Sequence, residues 1–153
     1  MKFQPKSWRW AAAVVCGVCL FSFAASITRA AELKLEAVLI WGTNDTNSPD
    51  PNHKLVGPKL AKTLGDLPIK WKSYFVVEKK DFSVNQGATE KVRLSKECEI
   101  KVKNADGASV ELQLIGKGKP VGKMTKDVNK GCLVTGGNAE NFTSWFVVLR
   151  KKE

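Results

Sequence analysis

The densest group of potential ligands lies in GTNDTNSPDPNH, from Gly42 to His53, where Asn44, Asp45, Asn47, Asp50 and His53 place oxygen and imidazole donors at close spacing. Such donors could hold calcium, yet an EF-type loop needs a glycine at its sixth position and a glutamate at its twelfth. Counted from Asp45, those positions carry Asp50 and Val56. Asx side chains also bond their own backbone in turns, and that is the preferred reading. No metal is expected; Asp45, Asp50 and His53 are the residues that would hold one.

Catalytic chemistry finds little to work with. His53 is the sole histidine, and no serine stands in a GxSxG elbow. Glu97 and Glu99 fall on one side of a predicted strand, but glycosidase chemistry needs one carboxyl desolvated, and Lys96 and Lys101 flank the pair as on a solvated rim. Gly136-Gly137-Asn138 lacks the helix and the Lys-Ser/Thr pair of a phosphate loop and reads as a tight turn. Trp41, Trp71 and Trp145 would make a sugar-stacking platform only if exposed, and each ends or interrupts an apolar strand pattern, so they read as core aromatics. No cofactor and no catalytic residue are expected.

The elements that must position these residues are mostly strands. ELKLEAVLIW, from Glu32 to Trp41, alternates at first and is wholly apolar from Ala37, the pattern of a strand buried on both faces at its end. Pro58 after Gly57 opens a short helix over about 57–65, with Leu60 and Leu64 one turn apart and Gly65 as its stop. Period-two patterning predicts further strands at 71–79, 82–84, 91–94, 98–103, 109–115, 121–128, 132–135 and 142–151. Turn chemistry falls at 104–107, 116–118, 129–131 and 136–138. In the last strand Phe142, Phe146 and Val148 share one side while Trp145, Val147 and Leu149 share the other. A strand apolar on both faces must be covered twice, so the first and last strands are placed centrally and side by side, with the opposing sheet on one face and the helix or long loop on the other. The expected fold is mainly β: an antiparallel β-sandwich-like domain of about seven to nine strands with one short helix, spanning 31–153 as one domain.

Ahead of that domain, residues 1–30 read as a signal peptide. Lys2, Lys6 and Arg9 precede an uncharged run from Ala11 to Ile27, and Thr28-Arg29-Ala30 offers small residues for cleavage before Ala31 or Glu32. Retention as a membrane anchor is the rival, because 17 uncharged residues reach the lower limit for spanning a bilayer. Val15 and Val18 stand before Cys16 and Cys19 where lipidation would need a small residue. Cleavage leaves two cysteines, Cys98 and Cys132, and in an exported chain an even number favours a disulfide. Closing a loop of about 35 residues would stabilise by about 3–4 kcal/mol on the chain-entropy model. Two reduced, buried thiols are the alternative in a reducing compartment.

Four of the 25 basic residues and none of the 15 acidic ones precede Ala31, so the remainder carries 21 − 15, or +6. Of those 21 cations 19 are lysine, with Arg93 and Arg150 the exceptions. Nucleic-acid recognition exploits the planar fork of arginine, whereas pairs such as Lys70/Lys72 and Lys101/Lys103 alternate with apolar residues like the wet side of a strand. No nucleic-acid partner is expected; an anionic wall polymer or an envelope protein fits better.

The segments VLIWGTND, SPDPNHK, the Leu60/Leu64 helix, WKSYFVV and GCLVTGGNAENFTSWFVVL together resemble a group of small uncharacterised exported proteins of Gram-negative bacteria. The resemblance implies a periplasmic or outer-surface β-domain and brings no activity with it. It also lowers the weight of a glycan at the acceptor patterns Asn44-Asp45-Thr46 and Asn141-Phe142-Thr143. The function expected is that of a non-catalytic binding or structural module of the envelope, with an accessory subunit of an envelope or export machine, contacting through a strand edge, as the alternative and a hydrolytic enzyme behind both.

Overall fold

The two most apolar segments of the chain lie side by side in the computed structural model, which describes residues 31–68 and 71–152. The leader, with its cleavage signal and Cys16 and Cys19, lies outside the described residues, as does Lys70. In chain order the elements are β1 (Glu32–Thr43), β2 (Lys54–Leu55), α1 (Pro58–Gly65), β3 (Ser73–Asn85), β4 (Thr89–Arg93), β5 (Cys98–Asn104), β6 (Ser109–Gly116), β7 (Lys119–Asp127), a 3-10 turn (Val128–Lys130), β8 (Leu133–Ala139) and β9 (Thr143–Lys151). They form two antiparallel sheets, one ordered β2-β3-β1-β9-β8 and the other β4-β5-β6-β7. Among the described residues the fold is therefore a mainly β, sandwich-like domain of nine strands with one α-helix.

Burial explains the order of the first sheet. Leu35, Ala37 and Leu39 of β1 join Val147 and Leu149 of β9 in the core between the sheets, facing Ile100, Val102, Leu112 and Leu114 of the second sheet. The alternate residues Val38 and Ile40, with Phe146 and Val148, face outward under Leu64 of α1 and Tyr74 of β3. Both faces of this strand pair are covered, which an edge position would not allow. Asn104 ties the layers together: its amide donates to the Val84 carbonyl at 2.9 Å and its oxygen accepts from Gly107 N at 2.7 Å.

Three local expectations are corrected. The break placed near Lys79 is absent, and β3 continues to Asn85 because β1 pairs it along its whole length, with an irregularity between Leu39 and Ile40. Its charged stretch is neutralised across strands, Lys79 by Glu36 and Asp81 by Lys152. Gly136 and Gly137 are not a turn but lie inside β8. A Cβ on Gly136 would strike the Trp145 carbonyl and approach Phe146 Cδ1 to 2.9 Å, and the Trp145 indole lies 3.6 Å from where a Gly137 Cβ would be. Gly136 serves the close approach of β9, while a Cβ at Gly137 would make ordinary contact with the indole; neither serves chain reversal.

The reversal comes instead at Glu140–Phe142, where Asn141 and Phe142 take left-handed φ values of 59° and 52°. Phe142 is accordingly removed from the buried face assigned to it and is 92% exposed. Thr143 Oγ1 donates to the Glu140 carbonyl at 2.8 Å and closes the turn.

Candidate functional site

Cover over the outer face of the first sheet runs out before the sheet does. Eight helical residues make α1 about 12 Å long, whereas five strands span about 19 Å between the axes of the outermost two. Leu64 seats α1 against Val38, Ile40 and Tyr74, on β1 and β3. Between the helix and β8 a groove of about 1110 Å³ remains.

Its floor is apolar: Leu60 and Leu67 from the helix side, Val134 of β8 and Val148 of β9. The groove also wraps past the start of β8, where Met124, Val128 and Leu133 line it. Those three residues belong to the core between the sheets or pack against it, so the lining straddles the plane of the first sheet.

The rim is cationic. Lys59, Lys126, Arg150, Lys151 and Lys152 line the groove against two carboxylates, Glu36 and Asp66. Arg150 and Lys152 are compensated by Glu36 and Asp81. Lys126 and Lys151 reach neutral oxygens, the Cys132 carbonyl and Asn129 Oδ1, each at 2.9 Å. Two ammonium charges at this end therefore bond oxygens that carry no formal charge.

Glu36, in the wall of the groove, is 5% exposed. Arg150 Nε donates to its Oε1 at 2.7 Å and Lys79 Nζ lies 2.5 Å from Oε2. Burial pushes the Glu36 carboxyl up, but the hydrogen bonds and charges of Lys79 and Arg150 outweigh it and hold the carboxyl below its ordinary value of 4.5. A carboxylate so depressed stabilises the fold above its unfolded pKa, and that contribution is lost as pH falls through the folded value. Glu36→Gln should accordingly cost about 1–3 kcal/mol near neutrality, because Arg150 loses a charge-assisted partner. The gap between wild type and variant should close on acidification below about pH 4.5; urea midpoints measured across that range check both statements.

The residues singled out for metal do not converge. Asp45 accepts from Thr43 Oγ1 at 3.2 Å, while Asp50 accepts from Asn52 N and Nδ2 at 2.9 and 3.0 Å. Asp50 is held below its ordinary pKa, chiefly by the Asn52 backbone N–H. Among the described residues no three His, Cys, Asp or Glu side chains come together. His53 lies with Nδ1 2.8 Å from Ser48 Oγ and Nε2 3.6 Å from Asp50 Oδ2. That Ser-His-Asp set sits within one short turn, and its hydroxyl also accepts from Asp50 N at 3.3 Å; it pins the loop. Glu99 is ion-paired to Lys91 at 3.0 Å, and Arg93 lies 3.9 Å away.

The expected Cys98–Cys132 disulfide is not formed: both thiols are free. Cys98 opens β5 and is buried in the core between the sheets, whereas Cys132 precedes β8 and packs with the outward cluster under α1. The first sheet stands between those clusters, so a bridge would have to cross a packed layer. Burial pushes the Cys98 thiol up to about 11. Alkylation of the native protein at about pH 8 should modify Cys132 and spare Cys98, with Cys98 reacting only after denaturation; peptide mass mapping reads the outcome.

Nor do the tryptophans form one platform. Trp41 and Trp145 oppose each other on one rung of β1 and β9, while Trp71 packs on the opposite face of the sheet. The Trp71 ring lies over Gly42, and its indole N–H is buried with no hydrogen-bond partner.

Sequence motifs gave no direct sign of the groove. Its indirect sign was the eight-residue helix, too short to cover two doubly apolar strands. Among the described residues no helix is long and apolar enough to cross a membrane. Comparison with family models, curated proteins and solved structures returns no match.

Proposed function

We propose that this chain is an exported, non-catalytic binding module of the cell envelope and that the groove between α1 and β8 is its contact site. One observation carries the reading: an apolar floor, part-exposed at Leu60, Leu67 and Val134, beneath a rim with five cations and two carboxylates. A concave site with an apolar floor and a few polar groups at its rim is the usual form of a binding site, and the excess positive charge selects an anionic partner. The groove lining includes no histidine, and its buried carboxylate is locked by two cations, so binding fits it better than acid–base chemistry. The leader pattern and the resemblance support an envelope location, periplasmic or at the outer surface.

Two measurements test this. Intact mass of the protein recovered from its own host should give an N-terminus at Ala31 or Glu32; recovery of the full chain in a membrane pellet would support the anchor. A photoreactive residue at Thr63, on the groove wall, should crosslink to envelope components in the cell far more than one at Lys103, on the wet face of the second sheet. Equal yields at the two positions would defeat the groove as the contact site.

A further inference from the structure

We infer that the groove's occupant is an extended acidic-apolar peptide segment of a partner protein, which adds to the first sheet as a sixth strand beside β8. The inference rests on the binding reading of the groove and specifies its partner.

Each sheet end other than β8 is blunted in a recognised way. β2 has two residues; β4 carries Glu90, Lys91 and Arg93; β7 carries Pro120 and three lysines, Lys119, Lys123 and Lys126. Lysine, proline and shortness are the usual protections against edge pairing. β8 has seven residues, LVTGGNA, with no charge and no proline. It pairs with β9 along its full length, Leu133 opposite Leu149 to Ala139 opposite Thr143, and is the last strand of its sheet. Among the described residues no strand pairs with its other edge, which leaves one row of its backbone groups for another chain.

The groove borders the start of that edge, at Leu133 and Val134. Successive side chains of such a strand point to opposite faces of the sheet. One set would meet Met124 and Leu133 on the core side; the other would meet Val134 and Leu60 on the helix side. A ligand lying on one face alone would not use both sets. Strand addition takes affinity from main-chain hydrogen bonds and specificity from alternate side-chain pockets, and both are present here.

Charge selects among possible occupants. Lys126 and Lys151 line the groove and bond neutral oxygens, so carboxylates on the incoming strand would be paired. A second copy of this chain would bring the same lysines against them, on a mature chain of net charge 21 − 15, or +6, and like charges brought together oppose the contact.

The test uses a seven-residue peptide with apolar residues at both parities in its centre and Glu at its two ends, titrated into the isotopically labelled mature protein and followed by amide NMR. The peptide should shift and protect β8 amides, with lesser effects on β4 and β7. Methylating its two central amides blocks both of its edges without changing its side chains, and should weaken binding about tenfold or more, the loss of several modest hydrogen bonds. A Lys-for-Glu peptide should bind more weakly to the wild type, and Lys126→Glu should narrow or reverse that preference. Equal binding of the methylated peptide, or no perturbation of β8 by the parent peptide, overturns strand addition. If Thr63 still crosslinks in the cell, the groove remains a binding site for something else; if the Thr63 crosslinks also fail, the binding reading falls with it.

Discussion

A chain ending at Val147 should fail to fold. Residues 148–151 of β9 pair with Leu35–Val38 of β1 on one side, and Val148 and Leu149 pair with Val134 and Leu133 of β8 on the other. Their loss removes two fully buried side chains, Val148 and Leu149, each worth about 1.5–3 kcal/mol of burial. It also takes Arg150 from Glu36, leaving a nearly buried carboxylate with one cation, and it strands the paired backbone groups of Glu36 to Val38 in an apolar setting. The sum is comparable with the whole stability of a small domain, about 5–15 kcal/mol. Circular dichroism of the truncated protein should show no cooperative thermal transition. Cooperative unfolding near the parent's midpoint would mean that β9 contributes as little as an edge strand.

That strand order could be read from the sequence because two segments, Ala37–Trp41 and Trp145–Leu149, are apolar at both parities, and burial on both faces leaves a strand few places to stand. The meander β4-β5-β6-β7 was legible for a similar reason: alternating Lys and aliphatic residues separated by Asn-Ala-Asp-Gly and Gly-Lys-Gly turns allow local pairing alone. What stayed hidden depends on residues distant in sequence. Gly136 and Gly137 carry the composition of a turn, and only the Trp145 and Phe146 side chains against them show that they belong in a strand. Phe142 has the right parity for the buried face, but the left-handed backbone at Asn141 and Phe142 starts the strand one residue later. The Cys98–Cys132 pairing followed from compartment and count, which say nothing about the layer of sheet between the two thiols. The groove, likewise, is a property of what fails to be covered, and no motif encodes an absence; the hint lay in comparing the length of α1 with the width of the sheet.

Leu39→Ala should cost about 2–5 kcal/mol, the range for truncating a buried leucine whose surroundings cannot collapse. Leu39 is 5% exposed and lies in the core between the sheets. It pairs with Glu78 of β3 on one side and Val147 of β9 on the other, so neither neighbouring strand is free to move inward. The register of β1 and β3 also shifts between Leu39 and Ile40, which fixes the side chain at a point where the ladder is already irregular. Closing the void by sliding either strand would turn alternate residues to the wrong face. Lys101→Ala is the matched control: its side chain is exposed on β5 between buried Ile100 and Val102, and surface substitutions of that kind stay within about 0.5 kcal/mol. Urea unfolding of the two variants beside the parent, with unchanged m-values, would measure both. If the two variants lose equal amounts, Leu39 is not held in a packed core, and β1 cannot occupy the centre of its sheet.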